Sequence, residues 1–205
     1  ENTVSNNQNP KSNNPDGGAQ TGDGGFQAGG SADKFENGGR TDVDADTQAE
    51  GKVGTHFDAV RRSISEAISE SGMEKYIDIE EDPHWLSINI NSGMLFAKDS
   101  ASVLAASRPV IARIAVALST INNSIRVRGY TDNTFIPNGI FRNSWDLSAN
   151  RSVSVLEELE KAGIEPERMA VEAFGQFSNK YSNKTAAGRA LNRKVVIAIS
   201  RYAME

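Results

Sequence analysis

Up to residue 52 the chain has almost no large apolar side chains, only Val4, Phe26, Phe35 and Val43. From Phe57 the pattern changes. Phe57, Val60, Ile64, Ala67 and Ile68 recur at three- and four-residue steps, which predicts an amphipathic helix, and Gly72 supplies its stop. Tyr76–Glu81 (YIDIEE) and Trp85–Asn91 (WLSININ) alternate apolar and polar residues, so they read as two half-buried strands turning at Asp82-Pro83. Met94, Leu95 and Phe96 form a short apolar patch. A helix follows to about Ser119, with Pro109 at its first position, Ser107 as its cap, and Val110, Ile111, Ile114, Ala115 and Leu118 on its inner face. Ser124–Gly129 (SIRVRG) is a strand with Ile125 and Val127 inward. A second helix starts near Ser144 as cap, faces inward through Leu147, Val155, Leu156 and Leu159, and stops at Gly163. Met169–Gly175 (MAVEAFG) alternates as a strand. After a polar loop over 176–188 and a short helical turn, Lys194–Ser200 (KVVIAIS) is a strand apolar enough to be central.

The order strand, helix, strand, helix, strand, strand favours parallel neighbours across the helix crossovers, with the last strand free to add antiparallel. The expectation is an α/β fold: a mixed sheet of four to five strands with helices on one face. Three regions follow. Residues 1–52 are a Gly/Asn/Asp-rich disordered tether, 53–73 a linker helix, and 74–205 the folded domain.

Composition supports the tether and narrows the chemistry. Residues 1–52 carry ten of the eighteen glycines, and nine acidic against four basic side chains. Such a segment buries too little apolar surface to offset the entropy of ordering. Its glycine cluster is not a phosphate loop, since no strand precedes it and no Lys-Ser/Thr follows. Residues 53–205 hold eighteen acidic and eighteen basic side chains, so the folded part has no cationic field for a nucleic acid. The chain has no cysteine, which removes disulfides, thiolate chemistry and zinc–sulfur sites. No apolar run is long enough to span a bilayer. Because the chain opens on Glu1, a processed protein or excised fragment is expected, with any anchor or export signal upstream.

Candidate chemistry concentrates in Val127–Arg151. Arg151 shares the inward stripe of Leu147 and Val155. A cation near a helix start is poorly placed against the dipole, unless an anion sits there, held by the guanidinium fork and the free N–H groups together. Asp132, just past a strand end, can take a cation. One residue of each sign across one loop suits a zwitterionic amino-acid group. The competing reading is that Asp132 and Arg151 pair with each other to hold the loop. Farther on, Arg189, Arg193 and Lys194 surround Asn192, either as a site element or as a solvated helix end. Enzyme readings fare badly. His56 and His84 are the only histidines and lack ligand spacing, no GxSxG elbow occurs, and Glu80-Glu81-Asp82 reads as a solvated turn. Trp85 and Trp145 read as core or rim packing. No metal or cofactor is expected.

GYTDN, FRNSWDLSANRSVSVLEEL, KAGIEPERMAVEAFGQ and NKTAAGRALNRKVVIAI, in that order and spacing, resemble the OmpA-like peptidoglycan-binding domain over about residues 75–201. The SWDLS element and the extra residues after TDN are most similar to the periplasmic region of flagellar stator B subunits of the MotB, PomB and LafU type. The resemblance implies a mixed α/β fold, a periplasmic location, and noncovalent binding of the diaminopimelate-bearing stem peptide, with room for sugar contacts. It places the aspartate of the TD motif on Asp132, flanked by Thr131 and Asn133, and the arginine of LSxxR on Arg151, the two gripping amine and carboxylate. Leu147 and Asn143 would line the pocket, and Arg189, Asn192 and Arg193 match the GRxxNRR element. Tyr130 stands where the family has His, and Lys194 where it has Arg, a residue that forks to a carboxylate as lysine cannot. The resemblance further implies a cell-wall anchor rather than an enzyme, a homodimer, a stator A subunit met through an upstream transmembrane segment anchored in the inner membrane, and contact with motor-ring proteins. The tether and linker helix would then join that segment to the anchor; the alternative is a ring or outer-membrane anchor protein with the same fold.

Overall fold

The computed structural model describes residues 44–204, with side chains from Phe57 onward. Most of the expected tether, residues 1–43, lies outside the described residues. Helix α1 runs Asp44–Ser71, so it starts before the amphipathic periodicity does. A single 3₁₀ turn leads into β1 (Ile77–Glu81) and β2 (Trp85–Asn91), a hairpin whose turn is tied by Asp82, which accepts from the backbone N–H groups of His84 and Trp85. One helical turn, α2 (Ser92–Leu95), then leads to α3 (Arg108–Leu118), β3 (Asn123–Tyr130), α4 (Ser144–Lys161), β4 (Met169–Gly175), α5 (Ala186–Asn192) and β5 (Lys194–Ala203).

The five strands lie in the order β1-β2-β5-β3-β4. Only β3 and β4 are parallel, joined by the α4 crossover; β5 runs antiparallel between β2 and β3. The last strand is therefore central, as its apolar run requires: Val195, Ile197 and Ile199 are almost fully buried. One face of the sheet (Ile77, Leu86, Ile88, Ile90, Ile125, Val127 and alternate residues of β5) packs with Phe57, Val60, Ile64 and Ile68 of α1, Ile111 and Ile114 of α3, and Val155 and Leu159 of α4 in one core. Alternation along each strand sends the charged set to the other face, where Arg128 pairs with Glu172.

Two capping expectations need correction. Ser107 precedes α3, but its hydroxyl donates to the Met94 carbonyl instead of capping. Asn143, not Ser144, caps α4, accepting from the Asp146 N–H at 2.9 Å. Asn143 is the extended residue just outside the helix, from which its amide oxygen reaches that N–H, whereas Ser144 is already helical.

The fit of α4 over β3 depends on Gly129. A Cβ there would overlap the carbonyl of Ser148 and the hydroxyl of Ser152. Both belong to a rigid helix with no room to retreat. Gly129→Ala is therefore expected to lower the unfolding free energy by about 1–3 kcal/mol, read from urea denaturation. An unchanged midpoint would show that α4 is not held at this distance.

Candidate functional site

The sheet ends, α4 begins and the segment after β2 crosses over at one place, and a cleft of about 700 Å³ opens there. Thr131 and Asp132, at the end of β3, form one wall. Leu147 and Arg151, one turn apart on α4, form a second. Arg193, between α5 and β5, and Phe96 to Asp99 with Leu104 complete it.

Asp132 is 3% exposed. One carboxylate oxygen accepts from the backbone N–H (2.9 Å) and hydroxyl (2.7 Å) of Thr134. The other accepts from Arg193 Nη1 at 2.5 Å. Burial pushes the carboxyl up, but the Thr134 bonds and Arg193 outweigh it and hold its pKa below the usual carboxylate range. A depressed folded value means that the charge stabilises the fold above the ordinary carboxylate range and loses that effect as pH falls through the lowered one. The stability gap between wild type and Asp132→Asn should therefore be full at neutral pH and narrow only on strong acidification, measured by denaturation across pH. A constant gap would mean that the lost shape, not the charge, matters.

Arg151 is the opposite case. It is 6% exposed. Its Nε donates to the Ser100 carbonyl at 2.9 Å, and its guanidinium lies 5.0 Å from the centre of the Phe96 ring. Among the described residues no carboxylate lies within 4 Å of it. Burial, with a smaller push from Arg193, lowers its pKa to about 10, and Asp99 and Asp132 only partly offset this. At neutral pH it stays charged, so the cleft holds a desolvated cation without a counter-ion, an arrangement that costs free energy until an anion arrives. The pairing of Asp132 with Arg151 weighed from the sequence is not what the fold makes; Asp132 takes Arg193 instead. The first-turn N–H of Asp146 is used by Asn143, and no residue of α4 before Leu147 lines the cleft, so the anion-binding part of the dipole reading finds no support.

Two buried hydroxyls on the cleft lining, Thr131 and Ser92, have no protein partner and are free to bond a ligand. Of the other residues singled out from the sequence, Asn133 is exposed beside the cleft. Asn143, Arg189 and Asn192 are not on its lining. Asn192 is buried and bonds Tyr181 and Asn183, and Arg189 donates to the Asn183 carbonyl, so both fasten the loop 181–183 onto α5. Sequence reasoning took Met94, Leu95 and Phe96 as a short apolar patch and gave residues 97–104 no role. Their signal was Phe96 close before Asp99-Ser100; Asp99 sits in the left-handed region at φ 54, where a non-glycine residue is strained. The two departures from the family pattern also prove to be one feature: Lys194 lies 5.5 Å from the ring of Tyr130, which stacks on Phe174 at 4.9 Å. They sit on the open face of the sheet, outside the cleft lining.

Residues 95–193, from the segment that carries Ser100 to the arginine paired with Asp132, match the OmpA family model. This stretch belongs to the OmpA family. Motility protein B of Bacillus subtilis (strain 168) is 28% identical over 143 residues, 68% of this chain and 54% of that protein. The peptidoglycan-binding protein ArfA of Mycobacterium tuberculosis is 32% identical over 117 residues, 56% of this chain and 35% of that protein. Among solved structures, the cell wall anchor of the type VI secretion system of Pseudomonas aeruginosa superposes with a TM-score of 0.62 at 27% identity, covering 69% of this chain and 97% of that one. The chain thus spans about half the length of the motility relative. In this OmpA-family domain all of Thr131, Asp132, Leu147, Arg151 and Arg193 reach the cleft. Among the described residues no helix is long and apolar enough to cross a membrane, and no cluster of His, Cys, Asp or Glu could hold a metal.

Proposed function

We propose that this domain binds peptidoglycan noncovalently and is the periplasmic cell-wall anchor of a flagellar stator B subunit. The cleft takes the free end of diaminopimelate in the stem peptide: Asp132 receives the ammonium and Arg151 the carboxylate. One observation carries the reading. Two buried groups of opposite charge line the same cleft, yet they do not bond each other: Asp132 takes Thr134 and Arg193, and Arg151 only the Ser100 carbonyl. A zwitterion neutralises both at once, and the carboxylate supplies the anion that Arg151 lacks. Thr131 and Leu147 shape the pocket and Arg193 and Asn133 rim it, while Asn143, Arg189 and Asn192 act by holding α4 and the 181–183 loop in place. Motility relatives favour the stator role, in which an upstream inner-membrane segment meets the A subunit and the anchor works as a dimer. A second envelope machine is the alternative, favoured by the likeness to a secretion-system wall anchor.

The test is retention on isolated peptidoglycan with free diaminopimelate as competitor. Retention that diaminopimelate abolishes and lysine does not is the expected result; retention insensitive to it would remove the cleft from the function. Arg193 is half exposed, its side chain 44% accessible, so water screens its charge. Arg193→Gln should weaken retention only about two- to fivefold, and a complete loss would make Arg193, not Arg151, the principal cation.

A further inference from the structure

The aromatic pair Trp145–Phe177 lies outside the cleft and is not explained by packing. Trp145 was expected in the core or at its rim, yet it is 46% exposed and Phe177 is 61% exposed. Their rings stack at 5.0 Å with 20° between planes. Both are held by rigid structure. Trp145 is the second residue of α4. Phe177 follows the turn at Gly175, whose φ of 53 and close approach to Ser144 bring the end of β4 against the first turn of α4. The Phe177 N–H closes that turn on the Phe174 carbonyl at 3.2 Å. Stability does not require this arrangement: two large apolar rings facing water are a poor use of a fixed backbone, and exposed aromatic surface of this kind marks a contact site.

The chemistry of the patch selects the ligand. The charged neighbours Arg142 and Asp146 neutralise each other through a two-pronged ion pair (2.7 and 3.0 Å). What remains is a flat, uncharged π surface. Among the described residues the indole N–H of Trp145 makes no hydrogen bond, so it is free to donate along one edge. Flat rings attract the slightly positive C–H face of a sugar through their negative quadrupole, and the N–H meets its hydroxyl or acetamido oxygen. Position points the same way. Leu147 faces the cleft, and Trp145, two residues earlier, lies roughly 200° around the helix. Cleft and platform therefore flank the first turn of α4, about one helix diameter, or roughly 10–12 Å, apart. A stem peptide held in the cleft hangs from a glycan strand that must pass close to this turn.

We infer that Trp145 and Phe177 form a glycan-binding platform that takes the sugar backbone of the wall polymer beside the stem-peptide cleft. The inference rests on the peptidoglycan-binding reading above, and the test separates the two. Soluble glycan strands stripped of stem peptides by an amidase, and free stem peptides, are titrated separately against the full chain by isothermal titration calorimetry, with the indole N–H resonance of Trp145 followed in the proteins that keep it. Trp145→Ala and Phe177→Ala should each weaken glycan binding about three- to tenfold and leave stem-peptide binding within twofold. Trp145→Phe should retain part of the affinity. Asp132→Ala should show the reverse pattern. Unchanged glycan binding in both aromatic variants overturns the platform. Equal loss of peptide and glycan overturns it too, since the pair would then merely support the cleft. Normal wall binding with lost capture of a motor-ring protein would reassign the patch to a protein partner. If wild type binds glycan but not stem peptide, the platform stands and the cleft assignment fails.

Discussion

Arg151→Met is expected to abolish retention on peptidoglycan while leaving the domain at least as stable as wild type. The binding loss is that of a buried, charge-assisted contact, roughly 1.5–3 kcal/mol or about ten- to a hundredfold in affinity. The stability result comes from the same geometry. In the free protein this guanidinium is desolvated and makes one hydrogen bond, to the Ser100 carbonyl, with no carboxylate in reach among the described residues. An apolar side chain of similar length keeps the packing on Phe96 and removes the uncompensated charge, a replacement that is often neutral or stabilising by about 1 kcal/mol or more. Thermal denaturation beside the pull-down reads both effects. A variant that binds normally sinks the carboxylate assignment; one that unfolds shows that Arg151 is a structural residue.

Asp132→Ala should lose binding by a similar factor but with the opposite effect on stability. This carboxylate is already well served, by two bonds from Thr134 and one from Arg193. Truncating it strands the Thr134 donors and costs about 1–3 kcal/mol. Arg193, half exposed, turns to solvent at little further cost. Asp132→Asn should keep most of the stability and still lose the ammonium, because a neutral amide offers one acceptor and no charge. Equal wall retention by Asp132→Asn and wild type would show that the carboxylate grips no cation.

Much of this was legible in the sequence, for identifiable reasons. Helical and strand periods gave α1, α3, α4 and all five strands, and the apolar run of β5 foretold its central place. Placing Arg151 on the inward stripe with Leu147 and Val155 gave the unusual fact of a cation pointing into a core, and the fold confirms all three as buried. What the sequence hid was contact between distant segments. Nothing in the spacing of Asp132 and Arg193, sixty-one positions apart, predicts an ion pair, and the nearer Arg151 was the natural candidate. The segment from Phe96 to Leu104 escaped because it has no period; it is shaped by an isolated bridge between Phe96 and Val103 and by the left-handed Asp99. Cap choice escaped at Ser144 because the adjacent Asn143 competes for the same N–H groups, and at Ser107 because its hydroxyl bonds the carbonyl of Met94, thirteen positions away.

The central place of β5 has a consequence for how the molecule is made. Residues 194–203 pair with both β2 and β3, so the two halves of the sheet stay apart until β5 itself has left the ribosome. Such long-range closure is slow, and the half-built sheet exposes two unsatisfied edges meanwhile. Arg193 is the residue just before that strand, so its pairing with Asp132 and the finished sheet arrive in the same step. A chain cut short before β5 would be left without either.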